Sequence, residues 1–297
     1  MTAADEHAER FTALRPLLFT IAYEILGSAT EADDVLQDGY LRWSGVDLNQ
    51  VRDTKAYLAQ LVTRQALNTL RTQARRREDY VGPWLPEPLL LDETDAASDV
   101  VLAESVSMAM LVVLETLSPD ERAVFVLREV FGFSHDEIAS AVGKSTAAVR
   151  QMAHRAREHV QSRRRRFEPV DPGKSEQITT QFLVAAATGD LQGLMAMLAP
   201  DVVFTSDSDG KVSAARRPVL GAEKVARLLI GLMSRAGAQY RVELASYNSA
   251  PAAIVYRDDR PDSVFMIEVI DGKITNFYAM RNPEKLASVT VPREISR

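Results

Sequence analysis

Cysteine is absent from this 297-residue chain, so disulfides, thiolate zinc sites and a cysteine nucleophile are excluded, and a reducing compartment fits. Histidine is scarce: all four, His7, His135, His154 and His159, lie before residue 168. The remainder has no imidazole to titrate near neutral pH. No run of about eighteen apolar residues occurs, and 1–10 is charged with no apolar stretch. A soluble, cytoplasmic protein without membrane attachment is therefore expected. No internal repeat points to a solenoid, and the length implies two or three domains.

The formal net charge is −6, but the charges are uneven. Up to Phe167 there are 20 Lys/Arg against 25 Asp/Glu, and from Glu168 onward 15 against 16, giving −5 and −1. Between Ile138 and Arg166, eight Lys/Arg face one acid, Glu158. A local excess of this kind displaces the counterions of a phosphate backbone whatever the overall sign.

That excess sits on a punctuated helical pattern. Ser118-Pro119-Asp120-Glu121 is a capping box with proline at the first helical position, and Ser134-His135-Asp136-Glu137 repeats the box sixteen residues later. Each cap satisfies backbone donors that would otherwise be orphaned and is worth about 1 kcal/mol. The helix after the second box carries Ile138, Ala139 and Val142 and stops at Gly143. Ser145 caps a third, whose Val149, Met152, Ala153 and Ala156 share one face. The Gly143-Lys144 corner makes a helix-turn-helix. Packing of the apolar stripe leaves Thr146, Ala147, Arg150, Gln151 and His154 outward, flanked by Ser145 and Arg155, where they can enter a major groove.

Residues 11–26 show helical periodicity through Leu14, Leu17, Leu18, Ile21, Ala22 and Ile25 and end at Gly27. Ser28 or Thr30 then caps a helix over 31–43, with Val35, Leu36 and Leu41 as its apolar side and Asp33, Asp34, Gln37 and Asp38 as an acidic one. An acidic stripe suits a basic helical partner, the alternative being a solvated face. Residues 55–77 read as one long helix with Tyr57, Leu58, Leu61, Val62, Ala66, Leu67 and Leu70 inward and Arg64, Arg71, Arg75, Arg76 and Arg77 outward or at its end. Terminal arginines also suit the macrodipole. Two basic helices in one chain nevertheless make a shared polyanion the more economical reading.

Three prolines between Val81 and Leu89 forbid a continuous helix. The result is an extended linker whose Trp84, Leu85 and Pro86 are placed to anchor in a pocket. Turn-rich 168–173 then introduces a new composition. Beyond it 176–188, 191–198 and 221–235 read as helices, and 201–205, 240–247, 252–257, 263–270 and 273–280 as strands, the last four alternating, with Asp271-Gly272 as a hairpin turn. This is an α+β domain with a curved sheet. Asp207, Asp209, Glu243 and Glu268 are its possible bases, but carboxylates in loops and at strand edges are commonly solvated, so no catalytic residue is expected.

The run Ala32-Asp33-Asp34-Val35-Leu36-Gln37-Asp38 with Tyr40, Leu41 and Trp43, then Ala56-Tyr57-Leu58 and 64–71, then the helices of 118–157, together resemble bacterial sigma factors of the extracytoplasmic-function group. Residues 174–286 resemble SnoaL-like folds, which are shared with polyketide cyclases, ketosteroid isomerases and nuclear transport factor 2. Trp84-Leu85-Pro86-Glu87-Pro88 and Asn282-Pro283-Glu284-Lys285-Leu286 match the subgroup carrying that extension.

The resemblance implies sigma region 2 over 1–78, a linker over 79–103, region 4 with the helix-turn-helix over 104–167, a hinge over 168–173, a SnoaL-like regulatory domain over 174–286 and a tail over 287–297. The fold class is thus two all-α sigma domains followed by an α+β cone. By the same resemblance, Asp33, Asp34, Gln37 and Asp38 face the β′ clamp helices of core RNA polymerase, and region 4 meets the β flap. On promoter DNA, Arg64, Arg71, Arg75, Arg76 and Arg77 contact the −10 element and the 145–157 helix the −35 element. Trp84, Leu85, Pro86, Asp207, Asp209, Gly210, Lys211, Asn282 and Pro283 carry interdomain regulation. No metal and no cofactor are implied, and a small ligand in the C-terminal domain is left open. Gln65 and Asn68 stand where the family pattern has Asn and Asp, and Ser208 and Asp209 replace two glycines of its Asp-Gly-Gly-Gly-Lys stretch.

On the residues alone two other readings stay open. One is a stand-alone DNA-binding regulator, against which the acidic helix argues; the other is a ligand-sensing or cyclase-like enzyme fused to a helix-turn-helix module.

Overall fold

A computed structural model describes residues 3–77, 79–91, 99–163, 172–235, 237 and 239–297, with side chains for all of these except 3, 4, 74–77 and 172–176. Three helices open the chain: α1 (Ala3–Leu26), α2 (Ala29–Trp43) and α3 (Thr54–Arg77). α1 runs through Pro16, whose carbonyl accepts the Thr20 hydroxyl at 2.7 Å. Ser28 rather than Thr30 caps α2, its Oγ accepting the Glu31 N–H at 3.1 Å. Leu18, Ile21, Tyr23, Ile25, Leu36, Trp43, Leu58 and Val62 are fully buried, each worth about 1.5–3 kcal/mol relative to exposure for the aliphatic ones. Leu41 departs from expectation at 66% exposed. At 3.6 residues per turn it falls on the side of Asp34, Gln37 and Asp38, five residues round from Leu36.

Among the described residues α4 (Val100–Ser105), α5 (Met108–Leu114), α6 (Pro119–Phe125, continued by a π-helical turn over Val126–Val130), α7 (His135–Val142) and α8 (Thr146–Arg163) follow. Both capping boxes close, the second with Ser134 Oγ accepting the Glu137 N–H at 3.3 Å and the Glu137 carboxylate accepting the Ser134 N–H at 2.8 Å. Gly143, at φ +70°, takes the left-handed conformation that ends α7. Val149, Met152, Ala153 and Ala156 of α8 are buried as the spacing predicts. Ile138, Val149 and Ala156 belong to the same continuous apolar cluster as Leu36 and Leu67, so the two helical bodies are packed against one another.

The last body contains α9 (Pro172–Thr188), α10 (Leu191–Met197), β1 (Leu198–Asp207), β2 (Val219–Leu220), α11 (Ala222–Met233), β3 (Tyr240–Tyr247), β4 (Ala250–Arg257), β5 (Arg260–Ile270) and β6 (Lys273–Met280). α9 starts at Pro172, inside the stretch expected as a hinge, with proline where its missing N–H costs nothing. The strands form one sheet in the order β2-β1-β6-β5-β4-β3, with β1 parallel to β6 and the other pairs antiparallel. β4 and β5 begin earlier than the sequence suggests. Asn248-Ser249 and Asp258-Asp259 adopt left-handed turn conformations, with φ between 51° and 60°, without the glycine that normally announces them.

Both faces of this sheet are covered. Phe182, Leu194, Phe204, Val225 and Phe277 fill the space between the sheet and α9–α11. On the opposite face Tyr247, Ile254, Val264, Met266, Tyr278 and Met280 are covered by Leu85, Met108 and Leu286. Strict alternation therefore fails in β5, where Val264 and Met266 are buried on one face and Ile267 and Val269 on the other.

Candidate nucleic-acid interface and interdomain lock

Region by region, the candidate contacts separate into exposed and occupied. On α8, Ala147, Arg150, Gln151, His154 and Arg155 are exposed. Ser145 is engaged as the cap, its Oγ accepting the Ala148 N–H at 3.2 Å, and the Thr146 hydroxyl donates to Asp136 at 2.7 Å. Arg155 lies 3.2 Å from Glu121 and His154 lies 3.5 Å from Glu158. The outward face near the start of α8 is thus an open, mainly polar surface.

The arginines of α3 are placed differently. Arg64 Nη2 donates to the Ser140 carbonyl on α7 at 2.7 Å, and Arg71 pairs with Asp120 on α6 at 2.5 Å, with Lys144 3.2 Å from the same carboxylate. The side chains of Arg75, Arg76 and Arg77 lie outside the described residues. Two α3 arginines therefore hold the helix-turn-helix body against α3.

On α2, Asp34, Gln37 and Asp38 are exposed beside Leu41, an acidic patch with one apolar side chain in it. Asp33 is already paired, with Arg15 at 3.0 Å and with Arg293 of the C-terminal tail at 2.6 Å.

The linker is gripped by the C-terminal body at Asp207. This carboxylate is 0% exposed. It accepts the Tyr80 hydroxyl at 2.5 Å, the Leu85 N–H at 2.7 Å and Lys285 Nζ at 2.8 Å. The expectation of a solvated turn carboxylate fails because three donors from two distant segments replace water. Lys285 Nζ also donates to the Leu85 carbonyl at 2.6 Å and lies 3.9 Å over the Trp84 ring. Burial, together with the hydrogen bond to Asp207, raises the Tyr80 phenol well above its usual range. Asn282 donates to the same hydroxyl at 2.8 Å, followed by exposed Pro283. Leu85 and Pro86 are buried. Asp209 accepts the Val81 N–H at 3.2 Å and pairs with Lys211 at 2.9 Å, and Gly210 lies against Val81 so closely that a Cβ would meet its side chain at 3.1 Å.

Several gripping residues carry no local sequence signal. Asn248, in the β3–β4 turn, exchanges bonds with the Leu89 backbone, each 2.9 Å, and donates to the Tyr23 hydroxyl at 2.7 Å and the Val106 carbonyl at 2.8 Å. One side chain thus ties the sheet to the linker, to α1 and to the α4–α5 junction. The tail completes the grip: the Arg293 N–H donates to the Leu90 carbonyl at 2.9 Å, Ile295 is buried in the helical core, and Arg297 pairs with Asp99. An Asn-Ser pair announces only a turn, and nothing in the tail's pattern names its partners.

A second buried cluster lies where α1 meets α4–α6. Glu24 is fully buried and accepts the Ser105 hydroxyl at 2.6 Å, while Arg122 Nε donates to the Glu24 carbonyl at 2.8 Å and its guanidinium pairs with Glu115. Burial pushes the Glu24 carboxyl up to about 8, against the opposing Ser105 hydrogen bond and Arg122 charge. A carboxyl raised in the folded state holds a proton that the unfolded chain releases, so its contribution favours folding least at high pH. The Glu24 contribution to stability should therefore decline with rising pH between roughly pH 5 and pH 8, by about 1 kcal/mol per pH unit. Urea unfolding across that range is expected to show the decline, and Glu24→Gln to flatten it; an equally steep decline in the variant would acquit Glu24.

The interior between the sheet and its helices is packed, with Phe182 and Phe277 ring centroids 5.0 Å apart. A cavity of about 200 Å³ lies instead on the other face, between α5 and the sheet, lined by Val113, Asp201, Glu268 and Asn276 among others. Glu268 accepts the Asn276 amide at 2.5 Å, and Glu243 pairs with Arg241 on the exposed edge strand. Among the described residues no cluster of His, Asp and Glu is arranged to hold a metal, and no helix is long and apolar enough to cross a membrane.

The helix-turn-helix body, the acidic α2 and the basic α3 coincide with known families. The "Sigma-70 region 2" family matches residues 10–76 and the "Sigma-70, region 4" family residues 107–160. The chain belongs to the extracytoplasmic-function RNA polymerase sigma factors: it directs promoter-specific initiation of transcription. It is 39% identical over 288 residues to the ECF RNA polymerase sigma factor SigJ of Mycobacterium tuberculosis, covering 93% of this chain and 91% of that one. It is 27% identical over 289 residues to the probable ECF sigma factor SigI of that organism, covering 96% and 97%. The crystal structure of M. tuberculosis SigJ matches with a TM-score of 0.77 at 34% identity, over 96% of this chain and 99% of that one. The expected architecture, two helical sigma bodies followed by an α+β body built on one mixed sheet, is the one observed.

Proposed function

We propose that this sigma factor is held closed by its own C-terminal body, which acts as a regulator in cis and not as a catalyst. Residues 1–78 serve as region 2, 104–167 as region 4, 174–286 as the regulatory domain and 287–297 as its strap. Asp34, Gln37 and Asp38, joined by Leu41 and by Asp33 once Arg293 withdraws, meet the β′ clamp helices of core polymerase. Region 4 meets the β flap and reads the −35 element through Ala147, Arg150, Gln151, His154 and Arg155. The −10 element is met by α3 through Arg64, Arg71 and its basic end.

The observation that carries this reading is the pairing of Arg64 and Arg71 with region 4. Elements centred at −10 and −35 are about 25 base pairs apart, roughly 85 Å of duplex at 3.4 Å per pair. Two reading surfaces bonded to each other cannot reach both, so the bodies must part before initiation. Deletion of 292–297 removes Arg293 from Asp33 of region 2, Ile295 from the helical core and Arg297 from Asp99 and the Val130 carbonyl of region 4 at once. The expected result is higher promoter output in vitro at limiting core polymerase, by several-fold to about a hundredfold for a coupling of 1–3 kcal/mol. Unchanged or lower run-off transcript from the truncated chain would sink the closed-state reading.

A further inference from the structure

The β1–β2 connection, residues 208–218, is a basic loop set against Val81 and Gly82, the linker residues that follow α3. It starts with the turn in which the Lys211 N–H bonds the Ser208 carbonyl at 2.9 Å. Contacts with the linker and with the end of β6 hold it in place, beside the Asp209 bond to the Val81 N–H and the Lys211–Glu284 pair. Gly210 lies on Val81; Arg281 Nη1 donates to the Ser213 carbonyl at 2.5 Å; and the backbone of Arg216 abuts Gly82, where a Cβ would stand 3.7 Å from the Arg216 carbonyl oxygen. Arg216 and Arg217 are exposed, and among the described residues neither has a carboxylate partner. The neighbouring charges are accounted for: Lys211 is paired with Asp209 at 2.9 Å and with Glu284 at 2.7 Å, and Arg281 with Asp262 at 3.0 Å. Asp79 is the one exposed acid of the described linker residues beside the loop, against two guanidinium groups.

Gly82 follows Arg77, the last residue of α3, by five positions, so the loop lies within about 17 Å of the helix end along the chain. That is about five base pairs of duplex axis at 3.4 Å each. The side chains preceding the arginines, Ser213, Ala214 and Ala215, are small and allow the backbone to come close to a surface. A pair of exposed arginines anchored through its backbone, with no carboxylate partner among the described residues and at that distance from the proposed −10 helix, has the chemistry of phosphate recognition.

We propose that Arg216 and Arg217 of the C-terminal body form an additional contact to the promoter phosphate backbone next to the −10 element, so that this domain supplies affinity without sequence preference. The choice of DNA as partner rests on the reading of the α3 end as a −10 contact.

The test uses holoenzyme assembled from the full chain and bacterial core polymerase, with fluorescence anisotropy of a labelled promoter fragment across a salt series. Loss of two phosphate contacts should make the slope of log K against log salt shallower by about 1.8, which is roughly twelvefold less affinity change between 50 and 200 mM salt. R216A/R217A is expected to show that change with an unaltered ranking of base-substituted promoters and an unaltered melting curve, while R216K/R217K keeps most of the slope. An unchanged slope overturns the proposal, as does an altered base ranking. A fall in affinity for core polymerase at constant slope also overturns it, by assigning the arginines to an acidic polymerase surface. R75A/R76A run in parallel separates the two readings: a slope changed there and unchanged in R216A/R217A removes only the loop contact, and no change in either removes both.

Discussion

Asp207→Ala should destabilise the closed protein by about 3–5 kcal/mol, the range for breaking a buried ion pair by removing one partner. The reason is the company this carboxylate keeps. Its loss removes the carboxylate that Lys285 Nζ meets at 2.8 Å, on a side chain 9% exposed, and leaves the Leu85 N–H and Tyr80 hydroxyl without their acceptor. Such a loss is a large share of a typical total stability of about 5–15 kcal/mol. Urea unfolding measures it as a shifted midpoint. Trp84, stacked under Lys285, reports the local event, since release of the linker exposes its indole to water, whereas the other tryptophan, Trp43, is buried in the region 2 core. A loss below about 1 kcal/mol, within the range of an exposed pair, would show that Asp207 does not hold the linker. Asp207→Asn, which can still accept two hydrogen bonds but carries no charge, should fall between the two.

Charge reversal on α2 should have the largest effect on assembly. D34R/D38R is expected to weaken binding to core polymerase by at least about a hundredfold, since each reversal replaces an attraction by a like-charge contact at an interface where single charged groups are worth about 2 kcal/mol or more. Asp34 and Asp38 are exposed and make no ion pair among the described residues, so the melting curve should not move. Native binding with a normal melt would show that Asp34 and Asp38 do not supply the polymerase contact. Asp33→Arg is less informative, because it also severs the pairs with Arg15 and Arg293 and so removes a restraint as well as a contact.

The features legible in the sequence share a physical property: their partners lie within a few residues. Ser118 and Ser134 bond backbone N–H groups three positions on, Gly143 ends α7 by its own φ, and the stripe of Val149, Met152, Ala153 and Ala156 follows from helical pitch alone. The hairpin at Asp271-Gly272 is of the same kind. The order of acidic α2, basic α3 and helix-turn-helix was likewise visible, and with it the family. Leu41 shows how far pitch can be pressed, since an apolar residue off the stripe is exposed even when the residues two positions to either side, Gly39 and Trp43, are buried.

What tertiary structure alone decided is where the distant partners meet. Asp207 and Tyr80 are 127 residues apart, Asn248 and Tyr23 are 225, and Arg64 and Ser140 are 76. No residue in any of these pairs has a neighbour in sequence that specifies the other. Such a bond forms only after both faces of the sheet have been covered and the two helical bodies have closed, because side-chain donors and acceptors remain equally well served by water until packing excludes it. The sequence by itself determined that this is a sigma factor with an appended α+β body. The arrangement of the bodies was decided by folding: α3 pressed on the helix-turn-helix body, the linker clamped at Asp207, and the tail drawn across Asp33. Local hydrogen bonds and helical pitch write themselves into short stretches of chain, while the closure energy resides in contacts that exist only between them.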